Sequence, residues 1–293
     1  MEHLHSIFDI SFWKKYLGSH WFGGSMALLG LAVVLSKLKS GVHTVYRHFL
    51  RPVRDLQERY GNGWVVISDA SDPVGAAYAK ILGKRFNLLL LQKEGQNIDP
   101  EIAERVRKAG NHIETVMVEY QDVHGSDTFN RIRGFFGDKQ VGIVVINNLN
   151  HMRKDDKEGK GVEDTVTRFQ EAVMFPLLLQ RCLIPNMLRR EKKSAVITLS
   201  HLSIDPSSHS KILEISVKAF ITAFSRSLAA EYKGKIDALS LEVGSVTGAD
   251  SFGAWFQVPP NVAVKAQLAH IGYEKSGSGH WKHELEKRLS KYS

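Results

Sequence analysis

Residues 59–79 read Arg59-Tyr-Gly-Asn-Gly-Trp64-Val-Val-Ile-Ser68-Asp-Ala-Ser-Asp72-Pro73-Val-Gly75-Ala-Ala-Tyr-Ala79. The unbroken apolar run Trp64–Ser68 predicts a strand buried on both faces, because a half-exposed strand would alternate apolar and polar residues. Asp72-Pro73 then predicts a helix start. The aspartate offers an acceptor to the first free N–H groups, and proline lacks only a donor that the first turn cannot use. Strand, tight turn and helix follow one another without a spacer.

The same alternation continues along the chain. Apolar runs recur at 87–91, 113–118, 141–146, 195–199 and 236–241, and helical patterns fill 99–109, 125–135, 164–190 and 210–232. Near-continuous apolar strands separated by helices predict an α/β fold, a doubly wound Rossmann-type parallel sheet covered on both faces. Residues 57–293 are read as this one domain. No internal repeat interrupts it, and the charged run 153–161 reads as a solvated loop.

Residues 1–56 have a different character. Between Lys15 and Lys37 lie 21 residues without a formal charge, enough for a helix of roughly 30 Å, about one hydrocarbon thickness. Tyr16, His20 and Trp21 sit where an interfacial belt belongs. Ser36-Lys-Leu-Lys-Ser40 is a poor signal-peptide cleavage site, so the segment is read as an N-terminal transmembrane helix over about residues 17–36. Residues 42–56, with Val45, Phe49, Leu50 and Val53 among Arg47, Arg51 and Arg54, read as an interfacial helix or basic amphipathic linker. Two basic residues precede the apolar run and five follow it, which places the globular part on the cytoplasmic or matrix side of a single-pass protein.

The chain carries a net charge of +8, and residues 1–56 hold seven Lys/Arg against three acids. Because the excess flanks an apolar stretch, it points to anionic lipids rather than to nucleic acid, for which no motif is present. The single cysteine, Cys182, excludes an internal disulfide. No metal is expected, since the thirteen histidines are scattered; His280 and His283, in His-Trp-Lys-His, are read as part of a surface strand or turn.

Taken together, 59–79, Asn147-Asn148, Ile184-Pro-Asn-Met187, Ser216-Val-Lys-Ala-Phe220 and the stretch from Ala266 to His283 resemble the short-chain dehydrogenase/reductase family. The likeness is to its membrane-anchored branch of 17-beta-hydroxysteroid dehydrogenases and very-long-chain 3-oxoacyl-CoA reductases. That resemblance implies a dinucleotide site with the pattern Thr-Gly-x-x-x-Gly-x-Gly. The matching positions read Ser68-Asp69-Ala-Ser-Asp-Pro73-Val-Gly75, so Gly75 alone remains, Asp69 adds a negative charge, and Pro73 has no N–H. By the same resemblance Lys93 would meet the extra phosphate of NADP, Glu119 replaces an aspartate at adenine, Asn148 persists, and Asn150 replaces a glycine. The late Pro-Gly-x-Val-x-Thr segment becomes Val243-Gly-Ser-Val-Thr-Gly248.

The family reduces carbonyls with an asparagine, a serine, a tyrosine and a lysine. Here those positions are Ala172, His201, Glu214 and Lys218, so only the lysine is kept. A glutamate ionises near pH ~4.3 and has no proton to give at neutrality. With Lys218 four residues later it makes a favourable helix ion pair. The sequence therefore predicts no catalytic residue and no required cofactor, with NADP(H) retained at most as a structural ligand on Gly75, Lys93, Glu119, Asn148 and Lys218. The leading expectation is a catalytically inactive accessory subunit of a membrane complex. It would contact other membrane-protein subunits through the 17–36 helix and the globular domain, with the mitochondrial inner membrane placed ahead of the endoplasmic reticulum. Two alternatives stay open: a membrane-bound NADP-dependent 3-oxoacyl-CoA or hydroxysteroid reductase, and a non-catalytic NADP-binding regulator.

Overall fold

The computed structural model describes residues 20–96, 98–120, 126–149, 161–202, 212–247 and 255–289. The chain divides into two units, one ending at Pro52 and one beginning at Val53. In the first, helix α1 spans His20–Val45 and passes directly into a π-turn, Tyr46–Leu50. The stretch Phe22–Leu50 has a mean hydropathy of 1.5 over its most apolar window, with none of that window buried in the protein, and is long and apolar enough to cross a membrane. The helical run thus continues past residue 36 and through 42–50. No proline interrupts it before Pro52, and the residue ahead of a proline is driven out of helical geometry. Arg51 accordingly sits at φ −70°, ψ 129°, its N–H still closing on the Tyr46 carbonyl at 2.8 Å.

The second unit is built on a seven-stranded sheet in the order β3-β2-β1-β4-β5-β6-β7, every pairing parallel. The strands are β1 Trp64–Ser68, β2 Leu88–Gln92, β3 Ile113–Met117, β4 Val141–Asn147, β5 Ser194–His201, β6 Ile236–Val243 and β7 Ser276–Gly277. In β1, Val65 and Ile67 enter one core and Val66 the other, so consecutive apolar residues are all satisfied. The two-residue β7 has no apolar run and escaped the sequence reading.

Helices α2 (Leu56–Tyr60), α3 (Pro73–Leu82), α4 (Pro100–Lys108), α5 (Ser126–Phe135), α6 (Val162–Phe169), α7 (Phe175–Leu188), α8 (Ile212–Glu231), α9 (Pro260–Leu268) and α10 (Trp281–Leu289) complete the described elements. The expected 164–190 helix is one helical run interrupted by a π-turn at Gln170–Met174. Pro176 explains the interruption: it has no N–H to return to the Ala172 carbonyl one turn earlier.

Where strands β1 and β5 begin, the buried Arg190 guanidinium meets three acceptors. It donates to the Tyr60 carbonyl, to the Lys193 carbonyl at 3.1 Å and to Ser194 Oγ at 3.1 Å. Arg190→Met keeps the apolar stem but strands these acceptors, and is expected to lower stability by about 3 kcal/mol. The guanidinium-unfolding midpoint of the detergent-solubilised chain checks this; an unchanged midpoint would show that the network is dispensable.

Candidate functional site

The crevice at the carboxyl ends of β1, β4, β5 and β6 is where a doubly wound sheet places its ligands. Its first wall is the β1–α3 turn. Asp69 stands at φ 60°, a left-handed conformation that glycine adopts freely and aspartate tolerates. Its carboxylate accepts from Ser71 N–H at 2.9 Å and from the Ser71 hydroxyl at 2.5 Å, a local turn that fixes the strained residue. Asp72 then caps α3: one carboxylate oxygen accepts from Val74 N–H at 2.7 Å and Gly75 N–H at 3.2 Å. The Asn147 amide donates to the other oxygen of Asp72 and, at 3.0 Å, to the Asp69 carbonyl. Gly75 is required here by space, because a Cβ would collide with the Asp69 carbonyl.

This geometry decides the fit of a dinucleotide. The N–H groups that would hold a pyrophosphate already donate to Asp72, and Pro73 supplies none. Both Asp69 and Asp72 are buried. Burial, followed by the Asp69 charge, raises the Asp72 carboxyl above the usual carboxylate range, and these effects outweigh the N–H donors that lower it. A phosphate charge about 5 Å from one carboxylate would be opposed by about 3 kcal/mol at an effective dielectric constant near 20, roughly a hundredfold in affinity. The turn is filled by its own anion.

The remaining positions are distributed around this turn. Lys93 does not stand free for a phosphate; its ammonium lies 3.3 Å from the nearly buried Glu171 on the π-turn. Glu119 is exposed. Its neighbour Tyr120 is buried, donates to the Leu91 carbonyl at 2.9 Å and sets its ring edge-on to Phe175 at 4.5 Å. Asn148 is buried and donates to the Ala172 carbonyl at 2.9 Å, the oxygen that Pro176 leaves without its helical donor. Ala172 itself offers only a buried methyl.

The His201 ring meets the Leu149 carbonyl through Nε2 at 2.7 Å, while Ser200 points to the Leu241 carbonyl at 3.4 Å. Glu214 belongs to α8, but its side chain lies outside the described residues, as does Asn150. The partner found for Lys218 is Glu242 on β6, at 3.2 Å, which Lys287 also meets at 3.0 Å. Sequence spacing found the intrahelical neighbour of Lys218; it had no means of finding a carboxylate brought alongside by the sheet.

A second buried carboxylate enters from the C-terminal helix. Glu286 on α10 accepts from Ser245 N–H at 3.1 Å and from the Ser245 hydroxyl at 2.6 Å, and His283 Nε2 meets the Ser245 carbonyl at 3.1 Å. Gly244 is fitted to this contact, since a Cβ would strike the Glu286 carboxylate. His283 is therefore on α10 and not on a surface strand or turn, as the sequence suggested, while His280 occupies the bend just before α10 and is buried rather than on the surface. His283 is fully buried, and His280 accepts the Lys282 N–H at 3.2 Å at the start of α10. The i, i+3 spacing of His283 and Glu286 was the available signal, for it aligns both on one face of α10. Among the described residues, no group of three His, Cys, Asp or Glu is placed to hold a metal ion.

No protein-family model matches the chain. It is 28% identical over 265 residues to the rat "Inactive hydroxysteroid dehydrogenase-like protein 1", covering 86% of this chain and 77% of that protein. It is also 24% identical over 225 residues to the duck (Anas platyrhynchos) very-long-chain 3-oxoacyl-CoA reductase, covering 74% and 71%. Among solved structures, a short-chain dehydrogenase from Shigella flexneri complexed with NADP superposes with a TM-score of 0.61 at 13% identity, over 72% of this chain and 90% of that one. At that identity the superposition speaks for the fold alone. The family resemblance and the Rossmann-type fold read from the sequence both hold.

Burial, reinforced by the neighbouring His283 and Lys282, pushes His280 down to about 4, well below the ordinary ~6.5 of an unfolded histidine. The unfolded chain then binds more protons between those values, so the contribution of this site to stability is complete above pH ~6.5 and is lost as pH falls toward ~4. The loss is expected to be about 2–3 kcal/mol, read from denaturation midpoints across that range. His280→Asn should flatten this slope; a variant with the parent's slope would exclude His280 as its source.

Proposed function

We propose that this chain, a short-chain dehydrogenase/reductase-like protein by its fold and its relatives, is a membrane-anchored, non-catalytic member of that group acting as an accessory subunit. The observation that carries the reading is the occupation of the crevice by the protein's own side chains. Asp72 saturates the helix N-terminus, Ala172 brings no polar group, and the retained Lys218 is neutralised by Glu242. Carbonyl reduction needs a proton donor held within reach of the oxygen that receives hydride. A lysine serves such a donor only indirectly, and here its charge is already compensated. The rat relative named as inactive supports the same reading.

The apolar helix α1 supplies the anchor, and its basic C-terminal part suits anionic headgroups on the side that bears the globular unit. Other membrane-protein subunits would pack on α1 and on the globular unit, in the mitochondrial inner membrane by preference. A second reading, an NADP-binding regulator without turnover, draws support from one feature of β2. Gln92 is fully buried, and both polar atoms of its amide lack a hydrogen-bond partner among the described residues. Such a group is costly unless something answers it.

The purified full-length chain, titrated with NADPH in mild detergent, separates these readings. The accessory-subunit proposal expects no saturable fluorescence change and no NADPH oxidation when a long-chain 3-oxoacyl-CoA or a ketosteroid is added. Saturable binding without oxidation would transfer the assignment to the regulator. Oxidation that disappears in Glu214→Gln would overturn both. Native electrophoresis of mitochondrial and endoplasmic-reticulum membranes completes the test: migration as a free monomer in both would remove the subunit role.

A further inference from the structure

On the opposite end of the sheet from this crevice, the surface between α5 and α7 opens into a cleft of about 450 Å³. Arg133, Arg181 and Arg189 line it together with Phe136, Cys182 and Asn186, and no carboxylate is among the lining residues. All three arginines are exposed, and none is ion-paired to a carboxylate among the described residues. The geometry points to a binding site for a phosphate group, with a membrane lipid headgroup as its source.

Three observations support this. The first is the origin of the charges. Arg133 lies in the last turn of α5 and Arg189 at the end of α7, where helix carbonyl ends favour cations. Arg181 lies inside α7, where no helix end explains it, yet the spacing of Arg181, Pro185 and Arg189 brings it to the same face. Forked guanidinium donors match phosphate oxygens in pairs, which lysines do not.

The second is rigidity. The Asn186 side chain pins the cleft from below: its oxygen accepts Val141 N–H at 2.8 Å, and its amide donates to the carbonyls of Phe136 at 3.3 Å and Lys139 at 2.9 Å. Burial pushes the Cys182 thiol up, so the floor stays neutral. An anion entering the cleft therefore meets a fixed frame and no opposing charge in its lining.

The third is position. The chain enters this unit at Val53, and α2 leads to β1 at the same end of the sheet. Trp64 N–H bonds the Gln140 carbonyl at 2.7 Å, and its ring stands edge-on to Phe135 at 5.0 Å, beside the end of α5. Lys192 reaches the Glu58 carbonyl at 3.2 Å and adds a further positive charge to this end. The choice of a lipid over free phosphate rests on the anchoring reading above; the cleft's preference for a phosphate does not.

Calorimetric titration of the full-length chain in an uncharged detergent tests the site, using dihexanoyl phosphatidic acid, inorganic phosphate and dihexanoyl phosphatidylcholine. Saturable binding of phosphatidic acid, weakened about tenfold by Arg181→Ala and abolished by Arg133→Ala/Arg181→Ala/Arg189→Ala, is expected, with none for phosphatidylcholine. Equal binding of inorganic phosphate would support the cleft with free phosphate as its ligand. Absence of binding by both anions, or binding that survives the triple substitution, would overturn it. The triple Arg→Lys variant guards against misfolding: it keeps the charges, and wild-type affinity in it would exclude a guanidinium-built site. Alkaline carbonate extraction of membranes tests the anchor separately. A chain that is extracted yet still binds phosphate through its arginines would lose the lipid source and keep the site.

Discussion

The Asp72 carboxylate at the head of α3 is the contact on which the rest of the crevice depends. A helix beginning at the edge of a parallel sheet exposes N–H groups with a partial positive charge, and these must be answered by solvent, a ligand or a side chain. Here the answer is covalently attached. Asp72 meets Val74 and Gly75, Asn147 braces Asp72 from β4, and Asp69 takes the left-handed turn that lets the chain double back. The turn is complete before any ligand arrives. Its stability as a fold and its unsuitability for phosphate have the same cause.

A similar substitution of internal for external partners runs around the rest of the site. Glu171 holds Lys93, Glu242 holds Lys218, and Glu286 holds the backbone and hydroxyl of Ser245. Each carboxylate comes from a different element: the π-turn, β6 and α10. They tie the crevice walls together where a dinucleotide would otherwise bridge them. Gln92 differs: both polar atoms of its buried amide, like Gln180 Oε1 and Ser278 Oγ elsewhere, lack a hydrogen-bond partner among the described residues.

The strand cores were legible in the sequence because a strand covered on both faces leaves a run of apolar residues that few other structures produce. Trp64–Ser68 was read to its exact ends, and the other long strands differed by a few residues where polar ends such as Gln92, Ser194 and His201 still pair. The placing of Ala172, His201 and Glu214 at the positions of the family's asparagine, serine and tyrosine rests on spacing together with the family resemblance. Three-dimensional partnerships were not legible. Nothing in the order of residues places Glu242 against Lys218 or Glu286 against Ser245, because both contacts join elements distant along the chain. The burial of His283 was missed for a related reason: a short polar helix carries a weak periodic signal, and its buried face is made of His and Glu. Helix α1 runs on past residue 36 because Lys37 and Lys39 end only its uncharged stretch and not its helical geometry.

The Asn148–Ala172 contact has an implication for how such a crevice changes over evolutionary time. The bond uses the main-chain oxygen of residue 172, freed by Pro176, and makes no demand on the side chain there. Selection for architecture and selection for chemistry are thereby uncoupled at this position. A lineage could exchange the reactive group at 172 for a methyl and leave the helix bend, its brace and the neighbouring strand end untouched. Loss of turnover would then be invisible to folding, which is how a scaffold inherited from an enzyme can outlast its reaction.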